Sequence, residues 1–124
     1  MLSALAYGLA VVLDLFITVI GVRFVLAPQI AAAGYGVPTQ PHGDGAAYLA
    51  VKGVRDTAFG ILGLALLAFV SARAGAWFML VAALLPLGDM VIVLRHGGTR
   101  AVAFGIHLAT AVVVLISAAL LFAV

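Results

Sequence analysis

The sequence contains no cysteine and no glutamate, and charged residues make up only 8% of its 124 positions. Without cysteine the chain cannot form a disulfide framework, a thiolate metal site or a cysteine nucleophile. Soluble domains usually carry about 25% charged residues, so this composition excludes an ordinary soluble domain. Hydrophobic residues make up 67% of the chain. We therefore expect an integral membrane protein with no room for a soluble domain.

Four long apolar stretches dominate the chain, and a membrane-spanning helix takes about 20 to 25 residues. The predicted spans are residues 2–26, 46–70, 76–94 and 101–124. Prolines and glycines repeatedly break any helical period over residues 27–45, which we predict to be an irregular loop. The predicted fold is all-α: one domain of residues 1–124, built as an antiparallel bundle of four transmembrane helices.

Basic residues predict the orientation of this bundle. Arg23, Arg95 and Arg100 lie towards the face that carries the loop 27–45, whereas Arg73 stands alone on the other face. The positive-inside rule therefore places the loop and the hinge 95–100 in the cytoplasm. We expect a bacterial plasma membrane as the location, membrane lipids as partners and no nucleic acid. The hinge itself is predicted to be a basic turn at the membrane edge, with phosphate binding by its amides and guanidinium groups as the alternative.

Aromatic residues fall near the two expected membrane faces, as an interfacial belt would. Those expected near the loop face are Phe24, Tyr35, Tyr48 and Phe104, and those near the opposite face are Tyr7, Phe69, Trp77 and Phe122.

Ionisable residues inside the predicted spans are the most informative positions. A lipid-facing charge costs at least about 3 kcal/mol, so these side chains are expected to meet inside the bundle. With a rise of 1.5 Å per residue, most of them share one layer in the half of the membrane nearest the loop. Three acids and three bases allow a neutral ion-pair network. The set comprises Asp14, Asp56, Asp89, Arg23, Lys52 and Arg55, with His107 in the same layer.

The second span carries two distinct faces when residues are placed at 100° steps. The face that holds its polar residues comprises Lys52, Arg55, Asp56, Phe59 and Gly63. The face beside it comprises the small residues Gly53, Thr57 and Gly60. Small residues at this spacing let membrane helices approach closely, so this second face is predicted to contact another helix.

Two further positions carry structural expectations. Pro86 removes a backbone donor and leaves the carbonyl of Ala82 free, so a kink there is expected to open a cavity beside Asp89. Asp14, in the middle of the first span, is expected to be protonated or to accept a hydroxyl from Thr57 or Thr110.

Three short motifs resemble a known family. The motifs are Lys52-Gly53-Val54-Arg55-Asp56, Pro86-Leu87-Gly88-Asp89, and Leu94-Arg95-His96-Gly97-Gly98 followed by His107. Together they are similar to the bacterial and fungal family classified as domain of unknown function 4267, over essentially the whole chain. The resemblance implies a four-helix membrane fold and no settled activity.

The leading functional hypothesis is that a polar cavity binds and transforms a lipophilic small molecule. Asp56 and Asp89 would divide acid and base work with Arg55 between them, as in epoxide hydrolysis or double-bond isomerisation, and His107 would relay protons. The residues predicted to bind the substrate are Lys52, Asp14, Arg23 and Phe59.

Two alternatives come from other classes of protein. The same residues could pass protons or small solutes through an oligomeric transporter or channel, or could form a buried ion-pair network in a structural membrane subunit. Small residues including Ala111 and Ser117 would permit a homodimer. No cofactor and no metal are predicted, because His42, His96 and His107 lack paired spacing.

Overall fold

The structure is a computed structural model that describes residues 1–36 and 43–124. Within those ranges all regular secondary structure is helical, which confirms the predicted fold class. His42 and the rest of the loop prediction over residues 37–42 lie outside the described residues. The helices are α1 (Leu2–Leu26), α2 (Pro28–Tyr35), α3 (Asp44–Phe69), α4 (Ala72–Arg95) and α5 (Arg100–Phe122).

Helices α1, α4 and α5 are long and apolar enough to cross a membrane. Helix α3 is as long, with 26 residues, but carries more charged side chains. The outward faces of the helices consist largely of exposed hydrophobic side chains, such as Val12 and Leu15 on α1 and Val112 and Ile116 on α5. Apolar surface of this extent suits contact with lipid and not with water.

Helices α1 and α3 pack antiparallel along the face of small residues that the sequence predicts. A Cβ at Gly53 would collide with the backbone of Gly21, and one at Gly60 would collide with the backbone of Asp14. Glycine permits this close approach of two helix backbones. The contact holds α3 against α1 and fixes which face of α3 turns towards the interior.

A compact apolar core joins α1, α4 and α5 on the side away from α2. Small residues let the helices approach, and three larger side chains fill the space between them. The fully or nearly buried members are Ala6, Ala10, Ala76, Met79, Ala83, Val114, Ala118 and Leu121. At the same end the rings of Trp77 and Phe122 meet edge to face, with their centroids 5.1 Å apart.

The prediction of an irregular loop over residues 27–45 is wrong for its first part, where α2 forms. The chain turns at Ala27, and Pro28 occupies the first turn of the new helix. Proline is favoured there because its missing N–H has no helical partner to lose. Pro28 therefore ends one helix and begins the next, and α2 ends at Gly36 in the left-handed conformation, with φ 96°.

Two helices are irregular beside the interior. Helix α4 is interrupted between the segments Ala72–Ala82 and Leu84–Arg95, one turn before Pro86, as the sequence predicts. Helix α5 contains a π-helical segment, Ala103–Leu108, which the sequence does not predict. Such π-helical turns occur frequently at functional sites. Both irregularities lie next to the cavity described below.

The hinge 95–100 packs against the end of α2. The amide of Gly98 donates to the carbonyl of Val93 at 2.9 Å, and the Thr99 hydroxyl caps α5 by accepting from the amide of Val102 at 3.2 Å. A Cβ at Gly98 would collide with the carbonyl oxygen of Gly36. This close backbone contact sets the position of the last turn of α2, including Tyr35.

Candidate functional site

A cavity of about 230 Å³ lies inside the bundle between all five helices. A cavity of about 150 Å³ already admits a benzene molecule, so this one has room for a larger ligand. Its walls are mostly apolar, from residues such as Ile17, Phe78 and Leu85. The ionisable side chains on its walls are Asp14, Arg23, Tyr35, Lys52, Asp56, Asp89 and His107.

Lys52 and Asp56 form an ion pair one turn apart on α3, with Asp56 almost fully buried. The Lys52 ammonium also lies 4.4 Å from the ring centroids of both Phe24 and Tyr35. An ammonium that close to an aromatic face is attracted by the ring's negative potential. The Lys52 ammonium is therefore held between one carboxylate and two aromatic rings, on the wall of the cavity.

Tyr35 links α2 to α4, because its hydroxyl donates a hydrogen bond to a carboxylate oxygen of Asp89. Its ring also packs edge to face against Phe24, with the centroids 5.4 Å apart. Burial of the phenol, and after it the negative charge of Asp89, raise the pKa of Tyr35 above its ordinary value of 10.0. The phenol therefore stays protonated at neutral pH and acts as a hydrogen-bond donor.

His107 completes this side of the cavity from the π-helical segment of α5. It is 4% exposed, and its Nε2 lies 2.9 Å from the backbone carbonyl oxygen of Tyr35. Because a carbonyl oxygen only accepts, Nε2 must carry the hydrogen. The imidazole and the Tyr35 ring are in contact, with centroids 4.6 Å apart. The π-helical turn and the end of α2 thus fix each other.

Asp14 lies on the wall of the same cavity and is 2% exposed. Its Oδ2 has no hydrogen-bond partner among the described residues. The expected hydroxyl partners are wrong, because Thr57 donates to the carbonyl of Gly53 and Thr110 to that of Ile106. Both hydroxyls are taken up by carbonyls of their own helices, a common local bond for threonine.

Arg55 is placed differently from the expectation that it stands between the two carboxylates. It is exposed and does not line the cavity, since α3 turns its Lys52 and Asp56 side inwards. Arg23 lines the cavity but is itself exposed, and Phe59 contributes a wall next to Phe78, with the ring centroids 6.4 Å apart. Of the eight side chains predicted for the site, Arg55 alone is absent from the cavity wall.

The predicted neutral network of three acids and three bases does not form among residues 1–36 and 43–124. There the Lys52–Asp56 pair is the single salt bridge, and it lies within one helix. An ion pair between neighbouring turns of α3 cannot tie separate helices together. Apolar packing, the Tyr35–Asp89 hydrogen bond and the hydrogen bond from His107 to the Tyr35 carbonyl connect the helices instead.

Residues of two other expected surfaces also turn inwards. Ala111 and Ser117, expected on a dimer face, are both fully buried within the bundle. Phe24, expected in the interfacial belt, is 2% exposed, and Tyr35 faces the cavity. A homodimer stays a prediction, and it would need surfaces other than those two residues.

No group of three or more histidine, cysteine or acidic side chains in the described ranges is arranged to hold a metal ion. His96 follows the last residue of α4, and its Nδ1 lies 2.9 Å from the carbonyl oxygen of Ile92. It does not line the cavity that contains His107. The absence of metals and cofactors remains a prediction from the sequence, and His42 lies in the segment left undescribed.

Tyr35 is the site residue that sequence reasoning missed. It follows an alanine-rich stretch between two glycines, and a lone tyrosine in such a context suits an interfacial position. One signal in the sequence was Pro28, because proline favours the start of a helix. A helix that begins there would place Tyr35 at its end, close to the bundle. Its contacts with Asp89 and His107 span most of the chain, so no local pattern could reveal them.

The fold and the cavity define a small all-helical membrane protein with a polar site inside its bundle. A family model described as domain of unknown function (DUF4267) matches residues 15–121. The chain belongs to this family, which confirms the resemblance carried by its motifs. Searches of the curated proteins and of the solved structures find no match to it.

Proposed function

We propose that this protein binds a lipophilic small molecule in its cavity, within the membrane, and converts it by acid–base chemistry. The observation that carries the proposal is that Asp56 and Asp89 line one cavity but have different partners. Asp56 is paired with the Lys52 ammonium, and Asp89 accepts from the Tyr35 phenol. Two carboxyl groups in different environments can divide acid and base roles.

The roles follow from these partners. In the reacting form Asp89 is protonated and gives its proton to an oxygen of the substrate, and the hydrogen bond from the Tyr35 phenol stabilises the carboxylate that is left. Asp56 removes a proton from water or from carbon. In epoxide opening, the water oxygen bonds to an epoxide carbon while the carbon–oxygen bond breaks and the leaving oxygen takes its proton from Asp89. The proton gained by Asp56 then returns to Asp89 through water, so one water is consumed per epoxide. In isomerisation, the same two groups take one proton from carbon and return one.

The supporting groups do not take part in bond changes. Lys52 holds the Asp56 carboxylate in position through their ion pair, and His107 holds the end of α2 and thereby Tyr35. Phe59 and Arg23 line the cavity, as the walls and the mouth of the binding site. The exposed Arg55 has no part in this scheme.

The proposed setting is a bacterial plasma membrane with the hinge 95–100 on the cytoplasmic side. Arg95 and Arg100 flank that hinge, whereas Arg73 alone lies near the opposite turn. The Tyr35 end of the cavity would then lie nearer the cytoplasm, because α2 packs against the hinge.

The alternatives from sequence analysis receive less support. A structural subunit held by interhelical ion pairs does not fit a single salt bridge that stays within α3 among the described residues. Transport remains a prediction, with no observation in the bundle that favours it over binding and conversion.

The test uses purified protein in detergent with a panel of lipophilic epoxides and β,γ-unsaturated ketones. The variants Asp56→Asn and Asp89→Asn should retain helical content but lose turnover by about 100-fold or more, as expected for removal of a general acid or base. The matched control is Asp44→Asn, because Asp44 is an exposed carboxylate at the start of α3. Normal turnover in both cavity variants would overturn the proposed roles.

A further inference from the structure

Asp14 is a buried carboxyl group without a hydrogen-bond partner among residues 1–36 and 43–124. It is 2% exposed, its Oδ2 accepts no hydrogen bond from any described residue, and it lies on the cavity wall. A Cβ at Gly63 would collide with its carboxylate, so the group is pressed against the α3 backbone and not against a polar side chain. Leaving a buried acceptor unsatisfied costs about 1–3 kcal/mol, and more for a charged group.

The carboxyl groups of the cavity also differ in their partners. Among the residues that the structure describes, the cavity walls carry the carboxyl groups of Asp14, Asp56 and Asp89 and the cationic side chains of Lys52 and Arg23. Asp56 is paired with Lys52, Asp89 accepts from Tyr35, and Arg23 is exposed at the edge of the site. Of these three carboxyl groups, Asp14 is the one left without a polar partner in the described part of the chain. An ammonium group on a ligand would supply both a hydrogen-bond donor and an opposite charge.

The position of Asp14 indicates where that ammonium would lie. Gly63, which touches the Asp14 carboxylate, follows Asp56 by seven residues on α3. With a rise of 1.5 Å per residue, the two carboxyl groups are separated by about 10 Å along the helix. The walls beside Asp14 are apolar and partly aromatic, with Leu13 and Phe16 next to it in α1. Such walls suit an apolar body attached to the charged group.

We infer that the substrate is a lipophilic amine, with its ammonium bound by Asp14 and its reacting group about 10 Å away at Asp56 and Asp89. This inference rests on the proposed function, since it names the substrate class of the same cavity. Asp14 is a binding residue here and not a catalytic one. A buried ion pair with a ligand gives specificity, because a neutral analogue can offer Asp14 a hydrogen bond but no opposite charge.

The experiment compares three probes of one shape: 4-phenylbutylamine, 4-phenylbutan-1-ol and 4-phenylbutanoic acid. Each is titrated into detergent-solubilised protein by calorimetry, with empty micelles as the blank. We expect the amine to bind at least tenfold more tightly than the alcohol, and the acid to bind most weakly. Asp14→Asn should weaken amine binding at least tenfold and leave alcohol binding unchanged.

The control variant Asp44→Asn removes an exposed carboxylate outside the cavity and should leave all three affinities unchanged. If the Asp14→Asn variant does not fold, Asp14→Ser replaces it. The Asp14→Ser variant should lose the preference for the amine in the same way. Equal binding of amine and alcohol, or an amine affinity that survives both Asp14 variants, would overturn the inference and leave the proposed binding function standing. Binding of none of the probes would overturn both.

Discussion

The phenol of Tyr35 and the carboxylate of Asp89 are joined by a hydrogen bond although 54 positions separate them in the chain. The bond connects the short helix α2 to α4, at Asp89 one turn after Pro86. The Tyr35 ring also contacts Lys52, Phe24 and His107, so this one side chain connects the Lys52–Asp56 pair with Asp89 and His107. The hydrogen bond of the Tyr35 hydroxyl goes to Asp89.

Tyr35→Phe removes that hydroxyl and keeps the ring. A hydrogen bond to a charged group contributes about 1.5–3 kcal/mol, so we expect the free energy of unfolding to fall by an amount in that range. Turnover should fall about 100-fold with little change in KM, because the cavity walls remain. The measurements are equilibrium unfolding in mixed micelles and substrate kinetics. Tyr48→Phe is the control, since Tyr48 is 77% exposed, and an equal effect of both variants would contradict the role of Tyr35.

The pH dependence of the Tyr35 contribution has a definite sign. Burial raises the pKa of the folded-state phenol above 10.0, so the unfolded chain loses this proton first. The stability that the protonated phenol provides is fully present below about pH 10 and falls as the pH rises further. The difference in unfolding free energy between wild type and Tyr35→Phe should therefore be flat from about pH 6 to 9. A difference that declines as the pH rises within this window would contradict a raised pKa of the Tyr35 phenol.

The sequence was sufficient for the helical fold and for most of the cavity wall. The cost of charge in lipid predicted that Asp14, Asp56 and Asp89 turn inwards, and the glycine face of α3 identified its contact with α1. The predicted position of Arg55 is wrong because its side chain lies 100° from that of Asp56 around α3. With α3 packed on α1 as it is, this angle leaves Arg55 outside the cavity. Tyr35 and the π-helical turn at His107 depend on contacts between distant segments, which helical periodicity does not encode.

Gly98→Ala tests whether the hinge positions Tyr35. The added Cβ would collide with backbone oxygens of Gly36 and Val93, which cannot move aside as a flexible side chain would. We expect α2 to be displaced, with faster amide hydrogen exchange in α2 and at least tenfold weaker probe binding. Gly88→Ala is the control, because nothing lies within 4 Å of a Cβ at that helical position. It should be neutral or stabilising by up to about 1 kcal/mol. Unchanged exchange in α2 of the Gly98→Ala variant would contradict this role.

The orientation in the membrane can be measured because the natural chain has no cysteine. Val70→Cys places a thiol at the turn between α3 and α4, and Asp44→Cys places one at the start of α3; both positions are exposed. With the basic hinge in the cytoplasm, a membrane-impermeant maleimide should label the Val70→Cys variant in intact cells. The Asp44→Cys variant should react only after permeabilisation. The reverse pattern would invert the proposed orientation, and labelling of both variants in intact cells would indicate dual insertion.

The ion pair between Lys52 and Asp56 is best tested by a double-mutant cycle. Lys52→Met should reduce the free energy of unfolding by about 1–3 kcal/mol, because it leaves the Asp56 carboxylate without its cation. This is less than the 3–5 kcal/mol typical of a fully buried pair, since the Lys52 side chain is 28% exposed. The double variant Lys52→Met/Asp56→Asn should then lose less unfolding free energy than the sum of the two single variants, with a coupling of about 0.5–3 kcal/mol.

Arg55→Met is the matched control on the exposed face of the same helix and should have little effect, because a surface charge without a partner contributes little. Additive single effects, or an Arg55→Met variant as unstable as Lys52→Met, would mean that α3 turns its Arg55 side and not its Lys52 side to the cavity.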